Sequence, residues 1–253
     1  GKGSLAQISG LAYRGARPRA CVFEKDLDRL AFAALHLLPL ENYWDLRMQH
    51  APVRGRFMVI TTSRGCVYSC RFCTTPQMLG HAWRTRSAKN IVDEIQAAVE
   101  RYAVEDVIIQ DELFGFRKES AQAFARELLD RRLNIRFSLP SGTKVETVDE
   151  ESLALLRRAG LQYLVFAPES GSRRVLEKMN KPMDFEKLWR LVPFAKALGI
   201  KLGCFFVIGF EDENDDDRRM TEAMMVKLTK LGVDDVSLFI WSPLPGAAAF
   251  AGA

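Results

Sequence analysis

Three cysteines stand within eight positions in RGCVYSCRFC, at Cys66, Cys70 and Cys73, in a chain that has only two others, Cys21 and Cys204. Thiolates bind soft metals, and a triplet this tight points to metal or redox chemistry in a reducing compartment rather than to a disulfide framework. Structural zinc takes four ligands, usually as two short pairs. No second CxxC or HxxxH is present, although His50 or His81 would complete a Cys3His set. Thiolates separated by three and then two residues fit an iron-sulfur cubane better, each taking a different iron of a [4Fe-4S] cluster. An electron-transfer ferredoxin needs a fourth thiolate. With three, one iron keeps an open position that a small molecule can chelate through an amino and a carboxylate group. Cys204, inside an apolar run, reads as a small hydrophobe, and Cys21 lies apart from the repeating pattern that follows.

Such a loop must be held by something rigid. From residue 57 onward, short β-branched or aromatic runs alternate with amphipathic stretches, the mark of βα units around a parallel sheet. The runs predict strands at Phe57–Thr62, Asp106–Gln110, Ile135–Leu139, Tyr163–Ala167, Leu202–Ile208 and Val236–Trp241. Apolar periodicity predicts helices at Ala88–Tyr102, Ser120–Arg132, Asp149–Ala159, Ser172–Met179, Phe185–Leu198 and Arg218–Leu231, with Gly160 and Gly199 as stops and Met220, Met224, Leu228 and Leu231 facing inward. The acidic run EDENDDD before the last helix complements its N-terminal dipole. Six such units are too few for a closed eight-stranded barrel, so the expected fold is α/β, an open partial (β/α)6 TIM-like barrel over residues 56–253. Residues 1–55, with RGARPRA and LDRLAFAALHLL, read as a linker and docking segment. The tail GAAAFAGA has little to hold it.

At 253 residues, 48% hydrophobic and 27% charged, the chain can bury a core without disulfides. A net charge of +4, with both signs interspersed, gives no footprint for nucleic acid. No apolar run approaches the roughly 20 residues of a membrane span; Leu30–Leu40 is interrupted by His36 and Pro39. The cytoplasm is the expected compartment. The opening GKGS lacks the glycine and strand of a phosphate loop, and reads as a piece of something longer.

In a barrel of this kind, chemistry sits on the loops at the C-terminal ends of the strands, and the cysteine loop follows the first strand directly. There the residues resemble a family. CxxxCxΦC, here Cys66, Cys70, Phe72 and Cys73, is similar to the signature of radical S-adenosylmethionine (SAM) enzymes. TSRGCVYSCRFC, LPSGTKVETVDEESLALLRRAG, PESGSRRVLEKMNK, FFVIGFEDEN and PLPG resemble, in order and spacing, the subgroup that carries a cobalamin-binding domain ahead of the radical domain. LAYRG, LDRL and LPLENY are similar to that subgroup's connector.

The resemblance implies one-electron reduction of the cluster, cleavage of SAM to methionine and a 5′-deoxyadenosyl radical, and hydrogen abstraction from substrate. It implies that Phe72 lies against the adenine, that Asp111 and Glu112 accept from the SAM ammonium, and that Glu169 and Ser170 meet the ribose. It places Gly209 and Glu213 in the turn near the adenine. Arg84 and Arg86 are weaker candidates for a carboxylate partner. Without the cysteine loop, Glu169 and Ser170 read equally as a helix cap and Asp111 and Glu112 as solvated carboxylates.

The sequence departs from the family pattern in Val67, where proline is usual, in IGFEDE for GFPGE, and in PLPGAAAF without the usual threonine. No DxHxxG-like stretch occurs, so cobalamin would be held by a domain outside these residues. The expected reaction is C-methylation, or cyclisation or rearrangement, of a small or medium-sized organic substrate, with an electron donor of the flavodoxin or ferredoxin type. The alternatives are a methylthiotransferase acting on RNA or protein and a non-catalytic zinc or iron-sulfur module.

Overall fold

Strand-forming runs that are apolar along their whole length have to be covered on both faces, and this chain covers them by returning through a helix after each strand. The structure is a computed structural model that describes residues 5–15, 20–46 and 51–252. His50, residues 1–4 and most of RGARPRA lie outside these residues. Helix α1 (Leu40–Leu46) leads to strand β1 (Phe57–Ile60). A short hairpin of β2 (Ser63–Arg64) and β3 (Arg84–Thr85) then encloses the cysteine loop and helix α2 (Thr75–Leu79). From there the chain runs α3 (Ala88–Tyr102), β4 (Asp106–Ile109), α4 (Lys118–Asp130), β5 (Arg136–Thr143), α5 (Glu150–Arg158), β6 (Leu161–Glu169), α6 (Arg173–Lys178), α7 (Phe185–Ala197), β7 (Lys201–Ile208), α8 (Asp215–Lys230) and β8 (Asp235–Ile240).

Six strands form one sheet in the order β1-β4-β5-β6-β7-β8, all neighbours parallel, and β1 does not pair with β8. The expected open arrangement holds. The hairpin is an addition that periodicity did not reveal. The helix-covered face carries the main core, in which Ile95, Phe124, Phe137, Leu164, Leu191 and Leu202 are buried together. Each such side chain contributes about 1.5–3 kcal/mol of burial free energy. The other face packs Ile108, Tyr163 and Val165 against Ala51, Val53 and Phe57, so the residues just before β1 plug that side of the sheet.

Five helix starts are fixed locally. Ser87, Asp149, Ser172, Asp184 and Asn214 each accept from a backbone N–H three residues on, and Asn214 forms a full capping box with Asp217. The acidic run therefore starts α8 three residues earlier than expected, inside the run.

Two expectations fail. Met220 is 53% exposed, while Asp217, Thr221, Met224 and Leu228 form the buried stripe. The cause lies in Gly171, where an added Cβ would stand 2.3 Å from the Met220 carbonyl oxygen: α8 approaches β6 there by its backbone and turns the Met220 side chain outward. The tail is held, with Ala247 and Ala249 buried and the Ala249 N–H donating to the Arg71 carbonyl at 2.9 Å. Within the segment read as linker and docking, LDRLAFAALHLL forms two separate 3-10 turns, Leu27–Arg29 and Leu35–Leu37, and buries only Leu27 fully. No helix among the described residues is long and apolar enough to cross a membrane.

Candidate active site

The cysteine loop is built on Asp111, at the end of β4. Its buried carboxylate accepts from Thr62 N–H at 2.6 Å, Thr62 Oγ1 at 2.5 Å and Ser63 Oγ at 2.7 Å, tying the exit of β1 to its neighbour. Burial pushes the Asp111 carboxyl above its usual range, and these hydrogen bonds work in the opposite direction. Gly65 follows with φ +88°, and a Cβ there would stand 2.3 Å from the Ala82 carbonyl, so no other residue lets the loop pass the hairpin. Cys66 N–H then donates to Gly80 O at 3.3 Å.

The second half of the loop is clamped at Arg71. Its N–H donates to Met179 O at 2.9 Å, its guanidinium reaches Lys178 O at 3.3 Å and Glu211 at 2.9 Å, and its carbonyl holds the tail. Phe72 packs against Val175, Leu176, Met179 and Phe210 beside Trp241. These contacts fix the positions of Cys70 and Cys73 from three separate parts of the chain.

The three cysteines line one cavity of about 320 Å³ at the C-terminal ends of the strands, together with Phe72, Asp111, Glu112 and Glu169. All three are free thiols. Burial raises the Cys66 and Cys70 thiols, while Lys144 and Lys181, on the same cavity, pull both down. Oε2 of Glu112 is buried with no hydrogen-bond partner. Glu112 lines the cavity, and a buried acceptor left without a partner at a cavity wall is a place for a ligand's donor. Glu169 is paired with Lys181, both buried, and stands at φ +64°, an unfavourable conformation for a residue with a Cβ. The pairing of β5 with β6 shifts register between Leu139 and Thr143, and that of β6 with β7 between Phe166 and Glu169. Such irregularities re-aim side chains, and here they flank the cavity residues Ser141, Gly142, Ala167 and Glu169.

Other sequence candidates stand elsewhere. Ser170 is buried away from the cavity, its hydroxyl 3.1 Å from Thr221 Oγ1 and accepting from Ser172 N–H. Gly209 N–H donates to Glu213, and neither residue lines the cavity. Arg84 holds Leu79 O and Glu24 O at 2.7 Å each, and Arg86 pairs with Glu94 at 2.6 Å, so both arginines are structural. His81 is exposed, and among the described residues no three His, Cys, Asp or Glu side chains converge to hold one ion. Burial pushes the Cys204 thiol up to about 12, as suits an inert core residue. Sequence reading missed Gln110, Lys144 and Lys181. The first two could have been found from their places at strand ends. Lys181 follows a helix, and no local signal marks it.

The sequence profile of the radical SAM superfamily matches residues 60–225. Cytidylyl-2-hydroxyethylphosphonate methyltransferase of Streptomyces wedmorensis is 30% identical over 88% of this chain and 42% of its own length. The anaerobic magnesium-protoporphyrin IX monomethyl ester cyclase of Rubrivivax gelatinosus is 28% identical over 86% of this chain and 39% of its own. Among solved structures, the radical S-adenosylmethionine methyltransferase TsrM from Kitasatospora setae, with tryptophan substrate and a SAM analogue bound, superposes with a TM-score of 0.72 at 20% identity, over 96% of this chain and 42% of that one. The chain thus spans about two fifths of the length of these proteins. The profile covers well over half of the chain and includes the cysteine loop and every cavity-bearing strand end from β1 to β7, and on that ground the chain belongs to the radical SAM superfamily.

Proposed function

We propose that this chain is the catalytic core of a radical SAM enzyme, in which Cys66, Cys70 and Cys73 hold a [4Fe-4S] cluster and SAM takes the remaining iron. The observation that carries the reading is that three free thiols line one cavity at the strand ends together with Glu112, one of whose carboxylate oxygens is buried without a hydrogen-bond partner. The donor set fits: thiolates bind iron, and three of them leave one metal position for a chelating ligand. When bound, the cluster and SAM supply one-electron cleavage of a carbon-sulfur bond, giving methionine and a 5′-deoxyadenosyl radical that takes hydrogen from substrate.

The chain's own residues bind and orient. Glu112 accepts from the SAM ammonium, Phe72 flanks the adenine, and Glu169, steadied by Lys181, meets the ribose. Asp111, Ser170 and the Gly209–Glu213 turn act behind them by holding the loops. Gln110, Ser141 and Phe205 form an uncharged part of the cavity wall, suited to the reacting end of an organic substrate.

The named relatives favour C-methylation or ring formation as the outcome. In the methylating version, a cobalamin-binding domain outside these residues hands on the methyl group, with residues 1–55 as its connector and 56–253 as the barrel. A flavodoxin- or ferredoxin-type protein supplies the electron, and the cytoplasm supplies the reducing surroundings.

Anaerobic reconstitution tests the reading. About four irons with sulfide per chain, and 5′-deoxyadenosine on reduction with SAM, support it; Cys70→Ala loses both. One tightly bound zinc with no effect of SAM refutes it. Two clusters with a methylthiolated product would replace it by the methylthiotransferase reading.

A further inference from the structure

The two ammonium groups on the cysteine cavity are unequal. Lys181 is paired with Glu169 inside the cavity. Lys144, directly after β5, has only 10% of its side chain exposed, yet its closest carboxylate oxygen, Glu146 Oε2, is 3.7 Å away. That is beyond hydrogen-bond distance. The other oxygen of Glu146 is taken by Asp184 N–H at 2.9 Å. The Lys144 ammonium makes no hydrogen bond among the described residues, whereas its carbonyl accepts from the Thr147 N–H and hydroxyl. Its ammonium lies instead 4.2 Å from the centroid of the Tyr68 ring, within the cysteine loop.

An ammonium with so little of its side chain in water and no hydrogen-bonded anion gains from negative charge placed nearby, and a cation–π contact supplies only part of that. The groups that face the same cavity are the three cysteines, Glu112, the Glu169–Lys181 pair and Asp111, and the last two are engaged by Lys181, Thr62 and Ser63.

Resting on the cluster reading above, we propose that Lys144 sets the reduction potential of the cluster held by Cys66, Cys70 and Cys73. The reduced cluster carries one more negative charge than the oxidised one, so a fixed cation at its wall stabilises the reduced form and eases the entry of the electron. The Tyr68 ring faces the ammonium, and Glu146, 3.7 Å away and a third exposed, offsets only part of its charge.

The test is an EPR-monitored redox titration of the reconstituted protein without SAM, so that turnover is not the readout. Lys144→Gln removes the charge and should shift the reduction equilibrium about tenfold toward the oxidised form, which is about 59 mV for a one-electron couple. Lys144→Arg should restore most of the shift, with iron and sulfide contents equal across the series. Glu146→Gln, which removes the opposing charge, should move the potential the other way, and it remains informative if Lys144→Gln fails to load. An unmoved potential in Lys144→Gln, equal shifts in the Gln and Arg variants, or a negative shift in Glu146→Gln overturns the proposal. A raised SAM requirement at unchanged potential also overturns it and makes Lys144 a carboxylate anchor. A wild-type protein that binds no cluster refutes the underlying reading itself, and the proposal with it.

Discussion

Asp111 and Glu112 are adjacent and equal in charge, yet the structure gives them different work. The carboxylate of Asp111 is taken up by Thr62 and Ser63, whereas Glu112, on the same cavity wall, has one buried oxygen without a partner. Asp111→Asn keeps the shape but turns an amide donor toward groups that themselves donate. It should cost about 1.5–3 kcal/mol, seen as a lower denaturation midpoint, and should reduce iron loading, because Thr62 and Ser63 lead directly into Cys66. Glu112→Gln should leave the midpoint unchanged and load normally. It should raise the SAM concentration for half-maximal 5′-deoxyadenosine formation about tenfold, the equivalent of roughly 1.4 kcal/mol. If both variants lose stability, or both lose only SAM affinity, the division of labour is wrong. Sequence reading placed this acidic pair at a strand end but could not divide it, because the division depends on donors almost fifty residues away along the chain.

At the scale of elements, what was legible was local. The caps Ser87, Asp149, Ser172, Asp184 and Asn214 act within one turn, and the helices they start lie within about a turn of where periodicity puts them. The cysteine loop was legible because its three thiols stand within eight positions of one another. Strand ends were less so: β5 runs on to Thr143 and β6 to Glu169, carried past their apolar runs by register shifts that the neighbouring strands impose. The tail was misjudged because small residues carry no periodic signal, while their fit depends on what they meet. Ala249 meets Val175, Phe210 and Trp241 and is fully buried. Ala249→Leu should therefore overpack this cluster and cost about 1–3 kcal/mol. Since the same residue holds the Arg71 carbonyl, iron loading should fall with stability in that variant. The same change at exposed Ala248 should alter neither in thermal denaturation and iron assays, and equal effects at both sites would mean that the tail does not brace the loop.

Across the molecule, the end of the barrel opposite the cavity is closed by one buried carboxylate. Asp106, at the start of β4, accepts from Arg54 N–H at 2.9 Å and Gly55 N–H at 3.2 Å in the plug, from Arg136 on β5 through two bonds of 2.8 Å, and from Gln162 on β6 at 3.1 Å. Burial by itself would raise the Asp106 carboxyl, but the Arg136 and backbone donors outweigh it, and the folded protein holds the group below its ordinary value. A carboxyl depressed in this way contributes stability that is fully present above its unfolded value of about 3.9. The contribution is lost as pH falls below that value toward the folded one. Stability should therefore drop as pH is lowered through about 4, and more steeply in wild type than in Asp106→Asn, which has no proton to take up. At neutral pH the variant should be less stable by about 1.5–3 kcal/mol, the worth of hydrogen bonds to a charged group, a loss that the partly exposed Arg136 partner keeps from growing larger. Urea denaturation at pH 7 and at about pH 3, below the unfolded value, measures both effects. The gap between wild type and variant must narrow on acidification if this carboxylate ties the plug and three neighbouring strands into one cooperative unit; a constant gap would assign the acid sensitivity to other groups.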